Sequence, residues 1–391
     1  MTHATRSPEP PVRAGLFRVL AVALVGFLVG TCCLVVSREA LARSAAGKLI
    51  LGFSIEEAFV NSPVQNRDLA GLSNTLDAIK GLEGTFQPLV FLGCAQTDET
   101  LLFDALDLVV QKQLNFVLDT WTSGTKAPPR PAAKPVTQPY DRLHGVCKSV
   151  EQLQAIRDRY GASFAGIRIH ESFAANFSTQ MYHSGVNWFT KKKAIFPDGP
   201  YFLRKILDDQ LGFAARNDML VVFNDPWWYA SGNKDLRKPF VGQERNEREL
   251  IDAVSQYRSR VIITYGNNEP LKSWADPLAA RMDSWPKLFP PQLVAEAEGI
   301  GLSNQAWLCD RISVPETSCS VDWLIKWSER AVDLGSTLIQ YEPYWYFFNY
   351  PRSAGEKNDY GPWLSNPQRG APTRNFTVMV EALRAYVRDR N

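Results

Sequence analysis

Eight short apolar runs in this chain stop at residues that can do acid–base work. Seven stop at a carboxylate: Glu56 and Glu57; Asp98 and Glu99; Asp119; Glu171, beside His170; Asp225, beside Asn224; Glu269, after Asn267 and Asn268; and Glu342, beside Tyr341. The remaining run stops at Asn304 and Gln305. Aromatic residues follow the same stops, with Trp121, Trp227, Trp228, Trp307, Tyr344 and Trp345. Acids, amides and flat rings together suit a carbohydrate. Sugar C–H faces pack on aromatic rings, and sugar hydroxyls pair with amides and acids. Cleaving a glycosidic bond needs two carboxyl groups, one protonated and one ionised. Any one of these acids also fits a turn or a helix cap, because Asp and Asn commonly follow strands. The rings could equally be core. Recurrence is what carries the argument.

Groups at run ends meet around one cleft only if the runs are strands of one sheet. They begin at Leu49, Leu89, Asn115, Phe164, Met219, Val261, Ile300 and Ser336. Short, nearly continuous apolar runs of this kind are parallel strands covered on both faces. Helical spacing appears between them over 101–113, 150–161, 246–260 and 321–335, and again over 375–390 after the last run. Gly161 and Gly335 are placed to stop two of these helices. Eight strand–helix beats over residues 48–391 predict an α/β fold, a (β/α)8 TIM-type barrel, in which functional groups stand at the C-terminal strand ends. An open doubly wound sheet is the alternative. It often carries a Gly-rich phosphate loop, and the chain has neither GxGxxG nor a Walker A motif. A Pro-rich stretch, Thr122 to Leu143, reads as a long loop over the barrel mouth or as an insertion without fixed structure. A second loop is predicted over Asn176 to Tyr201.

The bulk properties narrow the function further. The chain has 391 residues, 45% of them hydrophobic, and a formal net charge of +2. That is a globular composition with no electrostatic case for nucleic acid as a partner. The four histidines, His3, His144, His170 and His183, form no HExxH motif, and there is no GxSxG elbow. No metal and no cofactor are expected. Residues 1–18 form a polar, basic tail, 19–36 an uncharged apolar segment and 37–47 a short linker. The segment fits a signal-anchor, or a signal peptide cleaved near Ala40-Leu41-Ala42. The expectation is a barrel exported while anchored to the membrane, or secreted. Beyond Cys32 and Cys33 in the apolar segment, Cys94, Cys147, Cys309 and Cys319 suggest two disulfides, with Cys309–Cys319 preferred for its short loop and Cys94–Cys147 left over.

Residues 48–391, with the stretches IRIHESF, YGNNEP and YEPYWY, resemble glycoside hydrolases built on (β/α)8 barrels. The large retaining clan of those enzymes carries Asn-Glu-Pro at strand four and a second glutamate at strand seven. Here Asn268-Glu269-Pro270 ends the sixth run, and the seventh ends in Asn304-Gln305, which departs from that pattern. A looser resemblance is to the inverting enzymes of glycoside hydrolase family 98. It implies that Glu171 donates the proton and that Glu269, with Asp225, activates water. Glu342 is the reserve acid. His170, Asn224, Asn267, Asn268 and Asn304 would bind the sugar, together with Trp121, Trp227, Trp228, Trp307, Tyr341, Tyr344 and Trp345. The resulting expectation is hydrolysis of a polysaccharide or glycoconjugate. A non-catalytic glycan-binding protein on the same scaffold is the competing reading. It keeps the rings and needs no matched acids.

Overall fold

All eight apolar runs become strands, and they close on one another. In the computed structural model they are β1 (Ile50–Ser54), β2 (Gln87–Gly93), β3 (Asn115–Asp119), β4 (Phe164–His170), β5 (Leu220–Asp225), β6 (Arg260–Asn267), β7 (Gly299–Gln305) and β8 (Leu338–Glu342). Each pairs in parallel with the next, and β1 pairs with β8, so the sheet is a closed barrel in chain order. The structure describes residues 48–55, 63–64, 66–93, 99–120, 150–170, 199–225, 251–257, 260–267, 295–305, 321–342, 344–350 and 360–390.

Closure sorts side chains by strand alternation, since successive residues face opposite sides of the sheet. Leu89, Phe91, Val117, Leu220, Val222, Ile262 and Leu338 pack together inside the barrel. The intervening residues, such as Val90, Phe116, Leu118, Val221 and Ile339, belong to the larger core between sheet and helices. The runs are therefore apolar at nearly every position because both faces are covered, as the sequence suggested.

The covering helices are α1 (Leu69–Lys80), α2 (Glu99–Gln111), α3 (Val150–Tyr160), α4 (Gly199–Arg216), α5 (Val321–Asp333), the single turns α6 (Tyr344–Phe347) and α7 (Tyr360–Trp363), and α8 (Arg374–Arg388). Residues 251–257 are also helical. Four segments of expected helical spacing coincide with α2, α3, α5 and α8. Gly161 and Gly335 follow α3 and α5 at φ values of 56° and 81°, the left-handed conformation that ends helices.

Helix α1 was not among the expected helices. Its Gly, Ser, Asn and Thr are weak helix formers, and packing decides instead. Leu72, Leu76 and Ile79 recur on one face and are fully buried. The Asp68 side chain caps its start by accepting from the Gly71 amide at 2.9 Å. Helix α4 begins at Gly199, inside the segment expected to be loop up to Tyr201.

Among the described residues no helix is long and apolar enough to cross a membrane. The segment 19–36, all six cysteines and most of both expected mouth loops lie outside those residues.

Candidate functional site

The described part of the barrel mouth is organised by a residue the sequence reading passed over, Arg168. It lies on β4, whereas Glu342 ends β8 on the opposite side of the barrel, so the two can touch only through the interior. Arg168 Nη1 donates to Glu342 Oε1. On its other side Nε donates to Asp119 Oδ2 at 3.0 Å, and Nη2 makes an ion-pair contact of 2.7 Å with the same oxygen. Its guanidinium carbon lies 5.8 Å from the centre of the Phe91 ring, in the inner core. All three charged residues are buried, with Arg168 5%, Asp119 6% and Glu342 4% exposed.

Burial at this depth by itself would lower the guanidinium's pKa. The charges and hydrogen bonds of Asp119 and Glu342 outweigh that and push it above the ordinary arginine value. The arginine is thus a fixed cation between two acids.

Gln340, two residues before Glu342 and on the same interior face, completes the arrangement. Its Nε2 donates to Glu342 Oε1 at 3.0 Å and to Ser54 Oγ on β1 at 2.9 Å. One oxygen of Glu342 therefore receives two donors. Its other oxygen, Oε2, accepts no hydrogen bond among the described residues. Next to this group Gln340 Oε1 and Ser303 Oγ are buried without a hydrogen-bond partner. Gln340 and Ser303 stand in register on adjacent strands. This corner of the barrel interior thus sets two unpaired polar atoms near a carboxylate whose position is fixed.

An irregularity in β4 puts Arg168 there. Phe164 lies in the outer core, its ring 5.2 Å from Phe116 and nearly parallel to it. Strict alternation would turn Arg168, four residues later, outward as well. The β3–β4 register shifts between Phe116 and Val117, so that Gly166 lines up with Val117 and Arg168 with Asp119. This extra residue moves Arg168 to the inside. A lone charged residue between Ile167 and Ile169 was the available sequence signal.

Of the expected site residues, Glu342 is brought to the interior at the C-terminal end of its strand. Tyr341 is not, and this corrects the expectation that it binds sugar. It is 1% exposed and stacks outside the barrel on Phe53, with ring centres 5.5 Å apart. Its hydroxyl meets Ser328 Oγ of α5 at 2.7 Å. The reason is the alternation itself: with Glu342 inside, its neighbour must face out.

The backbones of His170, Asn224, Asp225, Asn267 and Asn304 close their strands. His170 is in register with Asn224, and Asn267 with Asn304. Tyr344 and Trp345 open α6. Glu171, Glu269, Asn268, Trp121, Trp227, Trp228 and Trp307 lie outside the described residues. Among the described residues no cluster of His, Cys, Asp and Glu is arranged to hold a metal.

No protein-family model matches the chain, and no curated protein matches it. Among solved structures it is similar to the exo-beta-1,4-mannosidase Op5Man5 from Opitutaceae bacterium strain TAV5. That match has 14% identity and a TM-score of 0.51, covering 87% of this chain and 60% of that one. The chain thus spans less than two thirds of the mannosidase's length. It is also similar to a GH5_18 protein from Streptomyces cattleya, at 11% identity and TM-score 0.47, with 87% and 81% of the two chains covered. An N-acetylneuraminic acid synthetase from Leptospira borgpetersenii gives 8% identity and TM-score 0.41, with 88% and 86% covered. At these identities the likeness is one of fold. The chain is a (β/α)8 barrel, an architecture it shares with that mannosidase.

Proposed function

We propose that this protein is a glycoside hydrolase that cleaves a polysaccharide or glycoconjugate by two-carboxylate acid–base chemistry. One observation carries the reading. Two buried carboxylates, Asp119 and Glu342, are held by Arg168 at the C-terminal ends of β3 and β8, inside the barrel. Barrels place their chemistry at that end, and glycosidic cleavage asks for carboxyl groups fixed across one cleft. Strand β4, which supplies Arg168, leads directly into Glu171. In this proposal Glu171 protonates the leaving oxygen, and Glu269 with Asp225 activates water from the other face. The looser likeness to family 98 and an inverting outcome are parts of the same proposal. So is an exported barrel, tethered by residues 19–36 or released by cleavage after them.

The test is a digestion screen of polysaccharides and glycoconjugates with the full-length protein, scored by new reducing ends. Glu171→Gln and Glu269→Gln should each abolish release while the protein still binds the glycan. The anomer formed first, followed by NMR, reports inversion or retention. Glycan binding with no cleavage by the wild type would instead establish a non-catalytic glycan-binding protein.

A further inference from the structure

We propose that Glu342 is the carboxylate that stabilises positive charge on the sugar, and that Arg168 is the positioning residue that fixes it. This inference rests on the glycosidase reading and gives Glu342 a role distinct from that of proton donor or water-activating base.

Three features support it. First, the contacts to Glu342 are one-sided. Arg168 Nη1 and Gln340 Nε2 both donate to Oε1, while Oε2 accepts nothing among the described residues. Here one oxygen anchors the group and the other remains for a ligand.

Second, the anchor is rigid and dry. Gln340 is fully buried, and its amide is pinned between Ser54 on β1 and Glu342 on β8. Preorganised charge in such surroundings stabilises a transition state without reorganising when the reaction occurs.

Third, Gln340 Oε1 and Ser303 Oγ, next to the carboxylate, are buried without partners. Sugar hydroxyls are donors and acceptors of the right kind for both. A glycosyl group acquires positive charge at its ring oxygen and anomeric carbon as the glycosidic bond breaks. Oε2, which accepts nothing among the described residues at the C-terminal end of β8, suits that charge.

Polyhydroxylated piperidines of gluco, manno and galacto configuration are the probes, because their ring ammonium sits where a sugar ring becomes positive. Calorimetric titration and steady-state kinetics are run on wild type, Glu342→Gln and Arg168→Lys. Glutamine keeps the shape of Glu342 and an oxygen for Arg168, so thermal denaturation should show an intact fold. Glu342→Gln is expected to lower kcat by about 100-fold at nearly constant KM and to lose piperidine affinity. Arg168→Lys keeps the charge but not the fork, and should fall between the two in kcat, again at constant KM.

Unchanged kcat and unchanged piperidine affinity in Glu342→Gln would overturn the inference and leave the glycosidase reading standing. Piperidine binding that depends on Glu342 in a wild type that cleaves nothing would sink the glycosidase reading and uphold the carboxylate site. A wild type that neither cleaves glycans nor binds piperidines overturns both.

Discussion

Replacing Arg168 with methionine tests the charge arrangement at the barrel mouth most directly. Methionine keeps much of the length of the stem and fills the same interior space against Phe91. The guanidinium is lost, and with it the contacts to Asp119 at 2.7 and 3.0 Å and the hydrogen bond to Glu342. Two carboxylates, 6% and 4% exposed, are then left facing one another without the cation between them. Removing one partner of a buried ion pair costs about 3–5 kcal/mol, chiefly because the charge left behind stays desolvated. Unfolding entropy is about 2.1 cal/mol/K per residue. Over the compact unit of residues 49–391 that is about 0.7 kcal/mol/K, so melting should fall by about 4–7 °C.

Differential scanning calorimetry reads this shift. The control is Arg260→Met, which breaks a pair with Glu298 whose side chains are 49% and 36% exposed. It should cost no more than about 1 kcal/mol. The decisive variant is the triple change Asp119→Asn, Arg168→Met, Glu342→Gln. If stranded charge is the cause, this protein should regain most of the lost stability despite having fewer ion pairs. A triple variant as unstable as Arg168→Met alone would refute the reasoning and point to lost packing instead. So would an Arg168→Met protein that melts with the wild type.

Two further outcomes follow from buried tyrosines. Tyr341→Phe should cost only about 1 kcal/mol, because Ser328 Oγ keeps its bond to the Leu324 carbonyl. Urea unfolding measures that loss, and glycan binding should not change, since the ring packs outside the barrel. Burial pushes the Tyr341 and Tyr350 phenols above the ordinary tyrosine range, while their hydrogen bonds with Ser328 and Thr75 act the other way. A group with a raised folded pKa holds its proton while the unfolded chain releases it, so stability falls as pH climbs past about 10. The urea midpoint should drop between about pH 9 and pH 11. The drop should be smaller in Tyr350→Phe, and an equal drop in both proteins would contradict the assignment.

The barrel was legible because its signal is local and repeated. A strand covered on both faces must be apolar at successive positions, and eight such runs separated by helical spacing leave few folds. The strand ends were legible for the same reason, and Glu342 was found this way. Tyr341 beside it was misplaced because a list of residues at a strand end does not say which face each one takes. Helix α1 was missed because its composition is poor in helix formers and only contact with the sheet holds it. Gly370, at φ 72°, shows the same limit. A Cβ there would collide with the Gly71 carbonyl oxygen, a constraint that exists only because distant segments meet.

The sequence by itself determined the eight-beat barrel, the acids Asp119, Asp225 and Glu342 that end β3, β5 and β8, and the covering helices with the strongest periodicity. Those follow from the chemistry of neighbouring residues, from continuous apolar runs and from a period of 3.6. Only the tertiary structure decided that Arg168 faces the barrel interior between Asp119 and Glu342. Alternation counted from Phe164 sends it outward, and the register shift between β3 and β4 turns it in. Its partners, Asp119 and Glu342, lie 49 and 174 residues away along the chain. Closure of the sheet brings β4 and β8 face to face, and no local pattern in the chain encodes that meeting.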